Sequence, residues 1–175
     1  QRADDEAMAD SERRLEAFME ELMEQFEVAE GQVVLGGFSQ GGMMTLRLGL
    51  RDPGRFRGLA VLSGKLPDSA ELEAGLPESR GQQIFITHGV EDTMIPVEDG
   101  RRSREFLEER GYAPEYHEYA MGHQITEQVV ADLTRWLHSV LPPAERPPSE
   151  PRSAQARPAV RAGLAALRAK VGEPS

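Results

Sequence analysis

The chain has 175 residues, and its 30 acidic side chains against 20 basic ones give a formal net charge of −10. That balance repels phosphate backbones and anionic lipid, which argues against nucleic acid as the main partner, and no apolar run reaches the ~18 residues that a membrane span requires. With 39% hydrophobic residues a core can form, and the absence of cysteine removes disulfides, thiolate metal sites and cysteine nucleophiles, in keeping with a reducing, cytoplasmic setting.

In chain order the first predicted element is an acidic helix. Residues 1–30 carry 11 acidic and 3 basic side chains. Leu15, Phe18, Met19, Leu22, Met23 and Phe26 recur at helical spacing and form a stripe that needs cover. Asp10 or Ser11 is the expected cap. Four β-prone runs follow: Val33–Leu35, Leu59–Leu62, Ile84–Thr87 and Glu115–Tyr119. The first three are nearly continuous apolar runs, as in parallel strands covered on both faces, and the fourth alternates like an edge strand. Helices are expected at about 40–51, 68–74, 98–110 and 125–140, between and after these runs. The alternation describes an α/β layer on a mostly parallel sheet, whose ligand sites lie beyond the carboxyl ends of the strands.

Beyond residue 141 the composition changes. Seven of the 12 prolines fall in 142–175. Residues 142–157 read as a Pro-rich linker, and 158–175 as a short basic amphipathic helix or disordered tail, because isolated helices of that length are marginal in water. The expected domain is therefore 1–141.

Gly37-Phe38-Ser39-Gln40-Gly41 lies between the first strand and the helix after it. A strand that turns sharply into a helix strains its turn residue, and small flanking residues, here Gly37 and Gly41, make room for it. The serine hydroxyl then stands free at the top of the sheet, at a helix N-terminus that favours developing negative charge. The competing reading is a glycine-rich phosphate cradle, but neither a GxGxxG fingerprint nor the Lys-Ser/Thr of a P-loop is present. A serine nucleophile needs a base, and the base needs an orienting carboxylate. Of the four histidines, His138 falls near the end of the last helix, His117 lies inside the fourth strand, and His88 ends the third, where it reads as a structural hydrogen-bonder. His123 follows Gly122 in the loop after the last strand, on the same rim as Ser39, and is the expected base. For the acid, Glu91, Asp92 and Asp99 all follow the third strand. Asp92 is preferred because the turn closing at Ile95-Pro96 holds a short carboxylate inward. The order Ser39, Asp92, His123 is that of nucleophile, acid and base in α/β-hydrolases.

The segments GGFSQGGMM, VLSGKLP, ITHGVEDTMIPV and YAMGHQI, in this order over about residues 8–140, resemble the phospholipase/carboxylesterase and acyl-protein-thioesterase group of serine α/β-hydrolases. The resemblance implies an α/β-hydrolase fold and no cofactor or metal. It implies Ser39 as nucleophile, Asp92 as orienting acid and His123 as base. It also implies an oxyanion donor at the Gln40 N–H and Leu66 facing the acyl group. Substrates would be small-molecule carboxylic esters of short or medium acyl chains, lysophospholipids or thioesters. A second oxyanion donor is expected from an HG loop after an earlier strand. Nothing before Gly31 matches that loop, so the chain, which opens on Gln1, reads as the C-terminal part of such a sheet with its nucleophile strand at an open edge. Two other readings carry different expectations. One is a peptidase or dienelactone-type hydrolase on the same fold. The other is a catalytically inactive binding module with the basic tail as its contact.

Overall fold

A computed structural model describes residues 2–28 and 31–141 of the chain. The element order is α1 (Arg2–Gln25), β1 (Val33–Phe38), α2 (Gln40–Gly49), β2 (Phe56–Leu62), α3 (Ser69–Ala74), β3 (Gln83–Gly89), α4 (Val97–Glu109), β4 (Glu115–Tyr119) and α5 (Glu127–Val140). The four strands form one sheet in the order β1-β2-β3-β4, and every pairing is parallel. Each strand is followed by a helix or short helical turn that returns the chain to the start of the next, as parallel pairing requires.

The period-2 geometry of the strands divides the core into two. Leu59 and Val61 of β2 and Ile84 and Ile86 of β3 face one side, with Met43, Met44, Leu46 and Leu48 of α2 and Phe106 and Leu107 of α4. Ala60, Leu62 and Phe85 face the other, under Val129, Trp136 and Val140 of α5. The Trp136 and Phe85 rings sit 5.4 Å apart. β2 and β3 are buried almost throughout, whereas β1 is only half-buried; β4 does not alternate as expected, being exposed or half-buried except at Tyr119. Among the described residues β1 pairs with β2 alone and leaves its other side open.

Helix α1 departs from expectation at its start. It begins at Arg2 and not at Asp10 or Ser11, because residues 2–9 contain no glycine or proline and are rich in good helix formers. Asp10 is interior and pairs with Arg14 at 2.7 Å and with Arg13 at 3.3 Å. The expected stripe is only partly covered. Met19 is buried and Leu15 packs on the core, but Phe26 is 47% exposed. The other elements lie within a few residues of their expected bounds. The expected linker (142–157) and terminal helix (158–175) fall outside the described residues. No described helix is long and apolar enough to cross a membrane.

Candidate active site

Ser39 is the hinge between β1 and α2. Its backbone is at φ 58° and ψ −120°, a region that costs a non-glycine residue of order 1–3 kcal/mol and persists only where the surroundings enforce it. They do so here. The Ser39 N–H donates to the Leu62 carbonyl at 2.8 Å, extending the β1–β2 pairing one residue past the strand, while the Ser39 carbonyl already accepts from the Gly42 and Met43 N–H groups of α2. Gly37 is required: a Cβ there would stand 2.3 Å from the Gly41 carbonyl carbon and oxygen. Gly41 corrects the expectation that both flanks must be bare, since a Cβ at that position meets nothing within 4 Å. The elbow is tight on one side only, because a Cβ on Gly37 would be directed into the turn and one on Gly41 into open space.

Asp92 and His123 are brought together by the ends of β3 and β4. The pairing continues beyond the strands through Val90 N–H to the Tyr119 carbonyl (2.9 Å) and Glu91 N–H to the Met121 carbonyl (3.1 Å). Gly89 permits this approach, as a Cβ on it would lie 2.2 Å from the Met121 carbonyl oxygen. Past this seam the chain turns at Asp92, whose Oδ1 accepts from the Met94 and Ile95 N–H groups, both at 2.9 Å. The other oxygen, Oδ2, lies 2.7 Å from His123 Nδ1, and His123 Nε2 lies 2.9 Å from Ser39 Oγ. A carboxylate only accepts, so Nδ1 carries the proton of the neutral ring and Nε2 is left to accept from the serine hydroxyl. The Asp92 side chain is fully buried and that of His123 is 11% exposed. Phe38 supports the imidazole with its ring 4.7 Å away. Burial by itself would raise the Asp92 carboxyl, but the Ile95 and Met94 N–H groups together with His123 outweigh it and hold the group below its ordinary value.

The other candidates fall elsewhere. Asp99 sits in the first turn of α4 and pairs with Arg102 at 2.5 Å; Glu91 is exposed. His117 hydrogen-bonds Glu115 at 2.8 Å and packs on Phe85. His138 occupies the last turn of α5. His88 is fully buried and holds the Ile95 carbonyl through Nε2 at 2.8 Å, so it braces the turn that carries Asp92.

A cavity of about 350 Å³ opens beside the serine, lined by Ser39, Gln40, Met43, Lys65, Met94, Ile95 and Asp99. The Gln40 N–H belongs to the first turn of α2, where no intrahelical acceptor exists. Leu66, expected to face the acyl group, packs against the core cluster of the α2 side, and the loop after β2 contributes Lys65 to the cavity instead. Sequence reasoning passed over Lys65, Met43 and Met94. The signal for Lys65 was its place in VLSGKLP at a strand's carboxyl end, but alternation beyond a strand end does not tell which neighbour turns inward. Among the described residues no group of three or more His, Cys, Asp or Glu side chains could hold a metal ion.

Comparison with known proteins places the chain in a family. The sequence profile of the phospholipase/carboxylesterase family matches residues 1–141. The chain is 33% identical over 122 residues to acyl-protein thioesterase 1 of Mycosarcoma maydis, covering 66% of this chain and 51% of that protein. It is 34% identical over 117 residues to carboxylesterase SOBER1 of Arabidopsis thaliana, covering 63% and 51% respectively. The crystal structure of SOBER1 superposes with a TM-score of 0.69 at 28% identity, over 76% of this chain and 64% of that one. That of esterase PE8 gives 0.67 at 29% identity, over 73% and 59%. The chain spans about half the length of the curated relatives it matches. With its parallel sheet, its strained serine elbow and a profile match along the whole described region, the chain belongs to the phospholipase/carboxylesterase family of α/β-hydrolases.

Proposed function

We propose that the protein hydrolyses carboxylic esters through an acyl-enzyme, with Ser39 as nucleophile, His123 as general base and then acid, and Asp92 as the group that orients His123. The observation that carries the reading is the unbroken relay of hydrogen bonds from Asp92 Oδ2 through the His123 ring to Ser39 Oγ, at 2.7 and 2.9 Å. Ser39 Oγ attacks the ester carbonyl carbon as its proton passes to His123 Nε2. The buried Asp92 carboxylate stabilises the imidazolium that forms and stays ionised throughout. Negative charge develops on the former carbonyl oxygen, where the free Gln40 N–H at the head of α2 is the donor at hand. The tetrahedral species collapses when His123 returns the proton to the leaving alcohol or thiol. Water, activated by the same imidazole, then opens the acyl-enzyme.

Met43, Met94 and Ile95 give the cavity an apolar wall, and its volume of about 350 Å³ suits a short or medium acyl chain. Carboxylic esters and thioesters with such chains, lysophospholipid esters among them, are the proposed substrate class, in line with relatives named as a carboxylesterase and an acyl-protein thioesterase. The test is covalent labelling with a fluorophosphonate alongside hydrolysis of p-nitrophenyl butyrate. Native protein should react in both assays and Ser39→Ala in neither. Labelling that survives Ser39→Ala would overturn the reading.

A further inference from the structure

Lys65 is one of two lysines in the chain, the other being Lys170, in a sequence that otherwise uses arginine for its positive charge. Many of those arginines are paired. Arg47, Arg51, Arg55, Arg101, Arg102, Arg110 and Arg135 all meet carboxylates, whereas Lys65 makes no ion pair or hydrogen bond with any described residue, and it lines the cavity that holds Ser39. The one carboxylate in that lining, Asp99, is already neutralised by Arg102 at 2.5 Å. The remaining lining residues are Ser39, Gln40 and three apolar side chains, so the cavity wall carries one uncompensated positive charge in a chain whose net charge is −10.

The placement of Lys65 is built in. β2 is followed by Ser63, which is held at φ 47° with its N–H on the Thr87 carbonyl at 2.8 Å. Gly64 then abuts α2 so closely that a Cβ on it would fall 3.0 Å from the Gly42 Cα. This backbone-to-backbone contact pins the loop to the head of the helix that follows Ser39. The residue after Gly64 is thereby delivered to the mouth of the site, while Leu66 is returned to the core. An ammonium on a four-carbon stem, unpaired and beside a nucleophile, is suited to receive a carboxylate as a point charge.

Resting on the esterase reading of Ser39, we propose that Lys65 is a specificity-determining residue that selects esters bearing a carboxylate near the scissile bond, on either the acyl or the alcohol part. The test compares two charged esters with their neutral methyl-ester counterparts. p-Nitrophenyl hydrogen glutarate carries its carboxylate on the acyl side, and 4-(butyryloxy)benzoate carries it on the alcohol side. For native protein, kcat/KM should favour at least one charged ester over its neutral counterpart, and the favoured member tells which side of the ester faces Lys65. Lys65→Gln should lower that ratio by roughly fivefold to tenfold, as for loss of a partly exposed charged hydrogen bond. Lys65→Glu should lower it further, and Lys65→Arg should keep most of it. Raised salt should shrink the native ratio towards that of Lys65→Gln. A ratio unchanged in Lys65→Gln, with Ser39→Ala still abolishing hydrolysis, overturns the role of Lys65 and leaves the esterase reading standing. Native protein that hydrolyses none of the four esters and resists the fluorophosphonate overturns both.

Discussion

His88 Nε2 and Asp92 Oδ2 lie 3.7 Å apart with both side chains fully buried, yet the histidine gives its hydrogen bond to the Ile95 carbonyl at 2.8 Å. A carbonyl only accepts, so the neutral His88 ring carries its proton on Nε2. His88 thus closes the turn whose N–H groups hold Asp92 from the inside. Replacing it with alanine leaves the Ile95 carbonyl unpaired and opens a void, each costing on the order of 1–3 kcal/mol. His88→Ala is expected to lower the urea midpoint and to reduce kcat more than KM, as Asp92 loses its fixed pose. Urea melts with steady-state kinetics check this; an unchanged midpoint would show that the turn stands without its brace.

The relay predicts a graded loss of activity. Ser39→Ala should abolish ester turnover, and His123→Ala should come close to it. Asp92→Asn should cost up to about 10⁴ in kcat, because the amide favours the ring tautomer with the proton on the wrong nitrogen. His117→Gln and His138→Gln lie outside the relay and serve as controls. Activity lost at His117 and kept at His123 would move the base to β4.

The two glycines of the elbow separate cleanly. At Gly37 an alanine methyl would meet the Gly41 backbone at 2.3 Å, so Gly37→Ala must displace the turn and should cost both stability and turnover. At Gly41 the methyl enters open space, and an alanine within a helix is favoured over glycine by about 0.5–1 kcal/mol. Gly41→Ala should therefore raise the melting temperature slightly. Calorimetry of the two variants decides it; equal destabilisation would mean that the turn needs both positions bare.

Stability should fall in acid, and the sign follows from which state binds protons. The Arg101 hydrogen bond holds Glu118 down, against the opposing effect of burial, at about 2 compared with an ordinary 4.5. Asp92 is likewise held below its ordinary value. A depressed folded-state pKa stabilises above the unfolded value, and that stability is lost as pH falls towards the folded one. The urea midpoint should be steady from neutral pH down to about 5 and then decline towards pH 2. Glu118→Gln should start from a lower midpoint and decline less steeply. A parallel decline in the variant would remove Glu118 from the account.

Much of the layout was legible because the signals were local. The runs Val33–Leu35, Leu59–Leu62 and Ile84–Thr87 all read as strands covered on both faces, and β2 and β3 are buried almost throughout, whereas β1 lies at the end of the described sheet and is only half-buried. Ser39, Asp92 and His123 could be singled out because each stands just past a strand end, where parallel sheets expose their residues. The start of α1 was misread because a capping residue is also a helix residue when the chain before it is rich in helix formers. The place of Lys65 in the cavity lining was not legible for a different reason. It turns on the Gly42–Gly64 contact, which joins residues far apart in sequence and leaves no periodic trace. The bareness of Gly41 was likewise overread, since a motif shows that a position is glycine without showing what a methyl there would strike.

The hydrogen bond between Ser39 and His123 closes a loop of 84 residues, and the one between Asp92 and His123 closes 31. Neither can form until β1 through β4 have paired in register, so the proposed nucleophile is assembled by contacts between residues far apart in sequence, which form late when loop entropy dominates. On the proposed mechanism, chemical reactivity of Ser39 would therefore be a clock for completion of folding. During refolding from urea, helical signal should return first and fluorophosphonate labelling should lag behind it. The interval between them measures how long the chain exists as a packed layer without a working serine.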